Sequence, residues 1–354
     1  MRDMLSVISR DETDGIVIAG GDGSLSCALT GLLRQQNQKK TGDSSSIPIA
    51  FIPCGRSSLS QRVISGAGSS SSGLEAACTA AMAAVNGLVR RIPVVRAQIE
   101  SPKLPSETNE PEVEIEGVSP PPDATQEEIW GVGFARWGRH HQVERLHGAY
   151  WYWAGWKRKF AYVWNGLKEG PQSQDCEISY TPPCSGCSRC RAASVSSLGD
   201  PAANSVSSGK RWWHYFLGFS TPPLPKEPEI DYSKIDNPEC GQKRHLTCQA
   251  SELLILNQSN PGDKTDEDSL LIQWDPSSPD RFRRDRERDL LGLRNPGLSL
   301  CASTPAQTVT VTFPASPKKQ WSSVDFDGEP YESTKCRLTL AHSIPFLVPP
   351  TNLL

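Results

Sequence analysis

"DGIVIAGGDGSLSCALTGLLRQ", Asp14 to Gln35, carries the code that decides the fold of the first part of the chain. Ile16 to Ala19 is continuously apolar and is ended by Gly20 and Gly21, the pattern of a parallel strand covered on both faces. Leu25, Ala28, Leu29, Leu32 and Leu33 then recur at helical spacing, which leaves Thr30, Arg34 and Gln35 for solvent. Strand, glycine turn and amphipathic helix predict a β-turn-α unit. Gly20, Gly21 and Gly23 allow close backbone approach in the turn, and the first helical N–H groups face whatever lies there, so an anion is welcome. Asp22 would repel a bare phosphate. Its place in the turn points to Mg²⁺, or to a substrate hydroxyl whose proton it accepts, as phosphoryl transfer requires. The plainer alternative is a tight strand-to-helix turn with Asp22 capping the helix.

A second unit repeats the plan. "IPIAFIP", Ile47 to Pro53, reads as a strand, and "CGRSSLSQRV" opens a turn that leads into helix. Gly55, Ser57 and Ser58 would lie at the carboxyl end of that strand, where ligands of open α/β sheets bind. "SSGLEAACTAAMAAVNGL" has a capping box in Ser72 and Glu75 followed by an alanine-rich helix. These alternating elements predict an α/β layer up to about residue 92.

The texture changes after Pro93. "SPKLPSETNEPEVEIEGVSPPPD" is acidic and proline-rich and reads as an exposed excursion. Short strand-like runs follow at Ile129 to Ala135, Glu177 to Tyr180, Glu252 to Leu256, Leu270 to Trp274, Thr308 to Phe313 and Arg337 to Leu340, so the rest is mostly β and antiparallel. Residues 192 to 210, 257 to 268 and the mixed-charge block 280 to 289 read as solvated loops. "VDFDGEPYE", Val324 to Glu332, reads as a hairpin turning at Asp327-Gly328, whose acids matter only if the fold returns them to the first turn.

Composition excludes some functions. A formal charge of −3 over 354 residues gives no basic field, so nucleic acid is not expected as a partner. No run reaches the roughly 20 apolar residues of a membrane span, and "MRDMLSVISRDETDG" has neither a signal-peptide core nor an Arg-rich targeting helix. "YWYWAGWKRKFAYVW", Tyr150 to Trp164, interleaves aromatic rings with Lys157, Arg158 and Lys159, as does "RWWHYF" at Arg211 to Phe216. Such a mixture suits a membrane surface or an aromatic domain-packing helix. Of eleven cysteines, Cys184, Cys187 and Cys190 form C-x2-C-x2-C, with Cys240 and Cys248 downstream. With Cys240 as a fourth ligand they suit structural Zn²⁺; a disulfide in an oxidising compartment and free thiols are the alternatives.

Taken in order, "GGDGS", "IPIAFIPCGRSSLS", "GFARWG", "YWYWAGWKRKFAYVWNGLKEGPQ", "CEISYTPPCSGC" and "DFDGEPYE" resemble the diacylglycerol kinase and sphingosine kinase superfamily of lipid kinases, and within it the mitochondrial acylglycerol kinases. The resemblance runs from about Asp14 to Leu340, with "FIPCGRSSLS" and "RWG" followed by "YWYWAG" as its specific parts. It implies an α/β plus β fold. An N-terminally truncated nucleotide-binding domain would occupy residues 1–92, since family members begin with a further strand and helix. A mostly antiparallel β-sandwich lipid domain would fill 93–340, with insertions near 101–128, 184–248 and 257–290, before a tail over 341–354. The implied activity is phosphorylation of monoacylglycerol and diacylglycerol by ATP with Mg²⁺, giving lysophosphatidic and phosphatidic acid. Carried over, Gly20, Gly21, Asp22, Gly23 and Ser24 would hold nucleotide phosphates, with Asp22 as catalytic base and Mg²⁺ contact. Gly55, Ser57 and Ser58 would form the second nucleotide loop, and Asp327, Gly328 and Glu329 the returning third. Gln142 stands where relatives carry an acid, which leaves Asp22 as the base. The family context implies the mitochondrial intermembrane space, a peripheral membrane surface and carrier translocase subunits as partners. The competing readings are a scaffold that keeps the fold for membrane-protein insertion, and a kinase for sphingosine or ceramide.

Overall fold

The computed structural model describes residues 13–38, 47–55, 59–65, 74–86, 88–101, 125–138, 174–184, 187–190, 234–258, 268–275, 302–313 and 322–349. In chain order the elements are β1 (Ile16–Gly20), α1 (Asp22–Gln38), β2 (Ile49–Pro53), α2 (Leu59–Ser65), α3 (Leu74–Asn86), β3 (Leu88–Ser101), β4 (Thr125–Gly131), β5 (Phe134–Gly138), β6 (Gln174–Thr181), β7 (Arg244–Ala250), β8 (Glu252–Gln258), β9 (Ser269–Asp275), β10 (Ala302–Ala306), β11 (Thr308–Thr312), β12 (Ser322–Phe326), β13 (Glu329–Ser333) and β14 (Lys335–Val348). The aromatic segments 150–164 and 211–216, the serines Ser57 and Ser58, and Gln142 lie outside the described residues.

The strands form two sheets, as expected of a mostly β chain. The first has eight strands and is built on two of 14 residues each, β3 and β14, paired antiparallel from Lys335↔Glu100 to Val348↔Leu88. Beyond β3 lies β4. On its other side β14 forks: its first half pairs with β11, beyond which lie β6 and β7, and its second half meets β2 in parallel at Phe346↔Ile49, with β1 beyond. The second sheet, β10-β9-β8-β5-β12-β13, is antiparallel throughout.

Two hydrophobic cores share the long strands. Val95, Ala97 and Ile99 of β3 and Cys336 and Leu338 of β14 are buried between the two sheets with Trp137, Leu253, Ile272 and Phe326. Ile92 and Val94 of β3, with Ile344, Phe346 and Val348 of β14, join Leu25, Leu29, Leu33 and Phe51 in a second cluster under α1. Neighbouring residues of a strand point to opposite faces, so β3 changes core simply by passing from Val94 to Val95. On β14 the core residues Cys336, Leu338, Ile344, Phe346 and Val348 are all even-numbered, and there the change needs the irregularity between Leu340 and Ser343, where the register slips by one residue. One extra residue turns the strand's buried set over to the other face.

Several expectations are corrected by these pairings. A boundary at residue 92 would cut β3 in its middle, and residues 341 to 348 are half of a sheet strand rather than tail, because Ile344, Phe346 and Val348 complete the core under α1. Ile129 to Ala135 is two strands in different sheets, joined through Val132 and Gly133. β1 is half open, with Val17 61% exposed, because among the described residues it pairs only with β2 and its second face has no cover. Thr30 is fully buried, not solvated. The outer edge of β4 faces α1, where Ser26 Oγ donates to Trp130 O (2.9 Å), Trp130 N donates to Thr30 Oγ1 (2.9 Å) and Arg34 donates to Glu128 O (2.7 Å). One polar stripe of the helix thus satisfies the sheet edge, which otherwise would present bare backbone groups. Asn257, expected in a solvated loop, is buried in β8. No described helix is long and apolar enough to cross a membrane.

Phe346→Ala is expected to cost about 3–5 kcal/mol, the range for a buried aromatic truncated in a core, as read from urea unfolding. Ending the chain after Leu340 is expected to abolish the cooperative transition. A truncated chain that melts like the whole one would show the second half of β14 to be dispensable.

Candidate active site

The first two turns leave the sheet side by side. β1 and β2 are parallel with Gly20 opposite Pro53, and Cys54 N donates to Gly20 O (2.8 Å). A Cβ on Gly21 would stand 3.6 Å from Gly55 Cα, and the Ser24 side chain folds back against Gly20. Asp22 is the first residue of α1 and is buried, with Oδ1 accepting from Ser60 N of α2 (3.3 Å). Thus α2 is held onto the same turn.

The distant hairpin returns to this place. Asp327 (φ +49°) and Gly328 (φ +85°) form the two-residue turn between β12 and β13, and positive φ at both positions is the geometry that an Asp-Gly pair favours. Gly328 N donates to Asp325 Oδ1 (2.7 Å), and Asp325 is paired with Arg136 (3.1 Å). The Glu329 carboxylate lies over the start of α1, where a methyl group on Gly23 would collide with it. Asp327 is fully buried, and its carboxylate accepts from Val132 N (3.0 Å), Gly133 N (3.0 Å) and Phe134 N (2.7 Å). That segment is where the chain passes from the first sheet to the second. A Cβ on Gly131 or Gly133 would strike the Asp327 carboxylate, so these flanking glycines are what let it reach the backbone.

Electrostatics at this corner are tense. Burial pushes the Asp327 carboxyl up to about 8, the negative charge of Asp22 pushes it the same way, and the N–H groups of Phe134 and Val132 pull it back. Oδ1 already receives two donors and Oδ2 one, so one lone pair of the carboxylate remains. Ser60 Oγ is buried, faces Gly133 and has no hydrogen-bond partner among the described residues. Asn257 braces the far side, its Nδ2 donating to Pro93 O (2.8 Å) and Val132 O (2.8 Å).

Of the residues singled out in the sequence, Gly20, Gly21, Asp22, Gly23, Ser24, Gly55, Asp327, Gly328 and Glu329 therefore meet in one place, while the four cysteines gather elsewhere. Ser60, Asn257, Asp325, Arg136 and the pair Gly131/Gly133 join the site without having been anticipated. The signal present for them was weak: "GVGF" interrupts an apolar run, and Asn257 ends "ELLILN".

Residues 1–97 match the diacylglycerol kinase catalytic domain. That stretch holds the two glycine turns at Gly20–Gly23 and Gly55, so the family likeness falls on the segment that builds the site. Its first lobe is thus similar to a lipid-kinase catalytic domain. Human and mouse "Acylglycerol kinase, mitochondrial" are each 30% identical over 174 residues, 49% of this chain and 34% of theirs. The Caenorhabditis elegans "Uncharacterized protein F52C9.3" is 26% identical over 257 residues, 72% of this chain and 50% of that protein. The chain spans about half the length of the worm relative and a third of the mammalian ones. A solved structure from Bacillus anthracis str. Sterne, provisionally assigned as a diacylglycerol kinase, has a TM-score of 0.47 at 12% identity, covering 98% of this chain and 83% of that one.

Asp327 ionises near pH 4 when unfolded and near pH 8 when folded. The folded chain therefore holds an extra proton between these values, and the stability it confers is full below about pH 4 and lost as pH rises through about 8. Urea midpoints are expected to fall more steeply from pH 5 to pH 8 in the wild type than in Asp327→Asn, although the variant is weaker at both, an amide having one acceptor oxygen for three donors. Parallel slopes would remove Asp327 as their cause.

Proposed function

We propose that the chain is an ATP-dependent lipid kinase that phosphorylates the free hydroxyl of monoacylglycerol and diacylglycerol, with lysophosphatidic and phosphatidic acid as products. The observation that carries this reading is the buried Asp22 at the start of α1, within a ring formed by the turns at Gly21, Gly55 and Gly328. A helix N-terminus flanked by glycines suits the nucleotide phosphates. Asp22 accepts the proton of the attacking hydroxyl, and burial of the corner keeps water from competing for the phosphoryl group.

The residues present fit a divalent cation with the nucleotide. Asp22 raises the Asp327 carboxyl, as two anions in one buried place do, and Asp327 Oδ2 keeps a lone pair. Mg²⁺ needs only one or two carboxylates when phosphates and water complete its shell. Asp22, with Asp327 or Glu329 beside it, would hold the ion, which supplies charge neutralisation on the phosphates. The remaining role of Asp327 is to fix the Val132–Phe134 corner against α1. Ser60, bonded through its N–H to Asp22, orients the base. The mitochondrial relatives support a mitochondrial site of action, and acylglycerols as substrates would place it at a membrane surface.

The test is transfer of labelled phosphate from ATP to monoacylglycerol, diacylglycerol and sphingosine. Asp22→Asn is expected to lower the rate on acylglycerols by about 10²-fold or more, the range for loss of a positioned base. Equal rates in both proteins would remove Asp22 from the chemistry, and a preference for sphingosine would overturn the substrate.

A further inference from the structure

The four clustered cysteines take no part in the site above. Cys184 follows β6, Cys187 and Cys190 bracket a single helical turn, and Cys240 precedes β7. Their sulfur atoms all lie within 4.8 Å of one another, and all four cysteines are free thiols. Cys184 and Cys190 Sγ are 3.9 Å apart and Cys187 and Cys190 Sγ 3.7 Å. A disulfide brings two sulfurs to about 2.05 Å. A tetrahedral ion with bonds of about 2.3 Å spaces its thiolates about 3.8 Å apart. The observed separations match the second arrangement, and a pair of disulfides would leave no reason for four sulfurs to converge on one point.

We propose that Cys184, Cys187, Cys190 and Cys240 bind one Zn²⁺ as a structural tetrathiolate clasp. The surroundings are built for it. Cys187 N donates to Cys190 Sγ (3.2 Å) and Asn237 Nδ2 to Cys184 Sγ (3.4 Å), and such N–H groups offset the excess negative charge of four thiolates on a divalent ion. The second segment is presented as a preformed turn, with Cys240 N bonded to Asn237 O, Glu239 N to Asn237 Oδ1 and Gly241 at φ +79°. Ser188 N donates to Ile235 O (2.9 Å), which pins the two cysteine-bearing segments by backbone as well. All four sites are closed by protein sulfur, the mark of a structural rather than a catalytic zinc.

The clasp has a mechanical place. β6 and β7 are neighbours from Gln174↔Ala250 to Tyr180↔Arg244, and β7 is the end strand of its branch of the sheet. The chain leaves β6 at Thr181 and returns only at Arg244. An ion held by Cys184 and Cys240 ties together the two ends of that excursion just beyond the last strand pair, so it fixes the register of a sheet edge that has no partner on its other side among the described residues.

Metal analysis of the full chain, purified and dialysed against metal-free buffer, decides the matter. About one zinc per chain is expected, with none in Cys187→Ser or Cys240→Ser and an unchanged content in the control Cys54→Ser/Cys78→Ser. So that misfolding of a cluster variant does not decide the outcome, the wild type is also titrated with a mercurial thiol reagent, which is expected to release zinc in step with modification of these four thiols. Hydrogen exchange of the zinc-stripped chain is expected to rise in β6 and β7 and to stay unchanged in α1. Less than about half an equivalent of zinc, iron in its place, zinc retained by both variants, zinc freed before these thiols react, or exchange unaltered in β6 and β7 would each overturn the clasp.

Discussion

Three backbone N–H groups converge on the carboxylate of Asp327, and the rest of the molecule is arranged so that they can. The contact ties a hairpin late in the chain to the corner where β4 leaves one sheet and β5 enters the other. It also sets the next two residues, Gly328 and Glu329, against the start of α1. A charge so deeply buried is costly unless hydrogen bonds satisfy it. Here burial and the nearby Asp22 still hold the carboxyl far above its ordinary range. The same contact that closes the sandwich therefore also makes the corner an electrostatically strained place, as binding sites for cations and phosphates are.

The two long strands explain how one sheet serves two cores. β3 shifts its buried positions from even to odd between Val94 and Val95, and β14 reaches the same result by an irregularity opposite Pro93. Sandwich and helix-covered first lobe are thus built on opposite faces of a common ladder. α1 covers one of them and spends its polar stripe on the exposed edge of β4. Ser26, Thr30 and Arg34 look in sequence like a solvent face because the residue types that satisfy a sheet edge are the ones that satisfy water.

That ambiguity marks what was legible in the sequence. Local codes were readable: the apolar run before Gly20, the heptad-like leucines of α1, the alternation of the later strands, and the Asp-Gly turn. Contacts between distant segments were not, and they decide the boundaries. Residues 341 to 348 carry no glycine turn or charge pattern that announces a strand, and Pro345 argues against one, so their role follows only from pairing with β2 and β3. Asn257 and Ser60 likewise acquire meaning from what they touch, the crossover at Val132 in one case and Asp22 in the other. Asp22, Asp327 and Glu329 were visible as acids beside glycines, but their meeting depends on more than 300 intervening residues folding first.

The late strand also sets an order in time. The turns that gather around Asp22 are synthesised first, yet the core beneath them lacks Ile344, Phe346 and Val348 until the final strand has been made. During translation the leading segment therefore emerges as an unfinished layer, with the apolar faces of β1, β2 and α1 uncovered while the sandwich strands are still being added. Pairings this far apart in sequence form slowly and leave such surfaces open to wrong partners. The nascent chain depends for that interval on whatever shields it, and its vulnerable period is set by the position of β14 rather than by the stability of the finished fold.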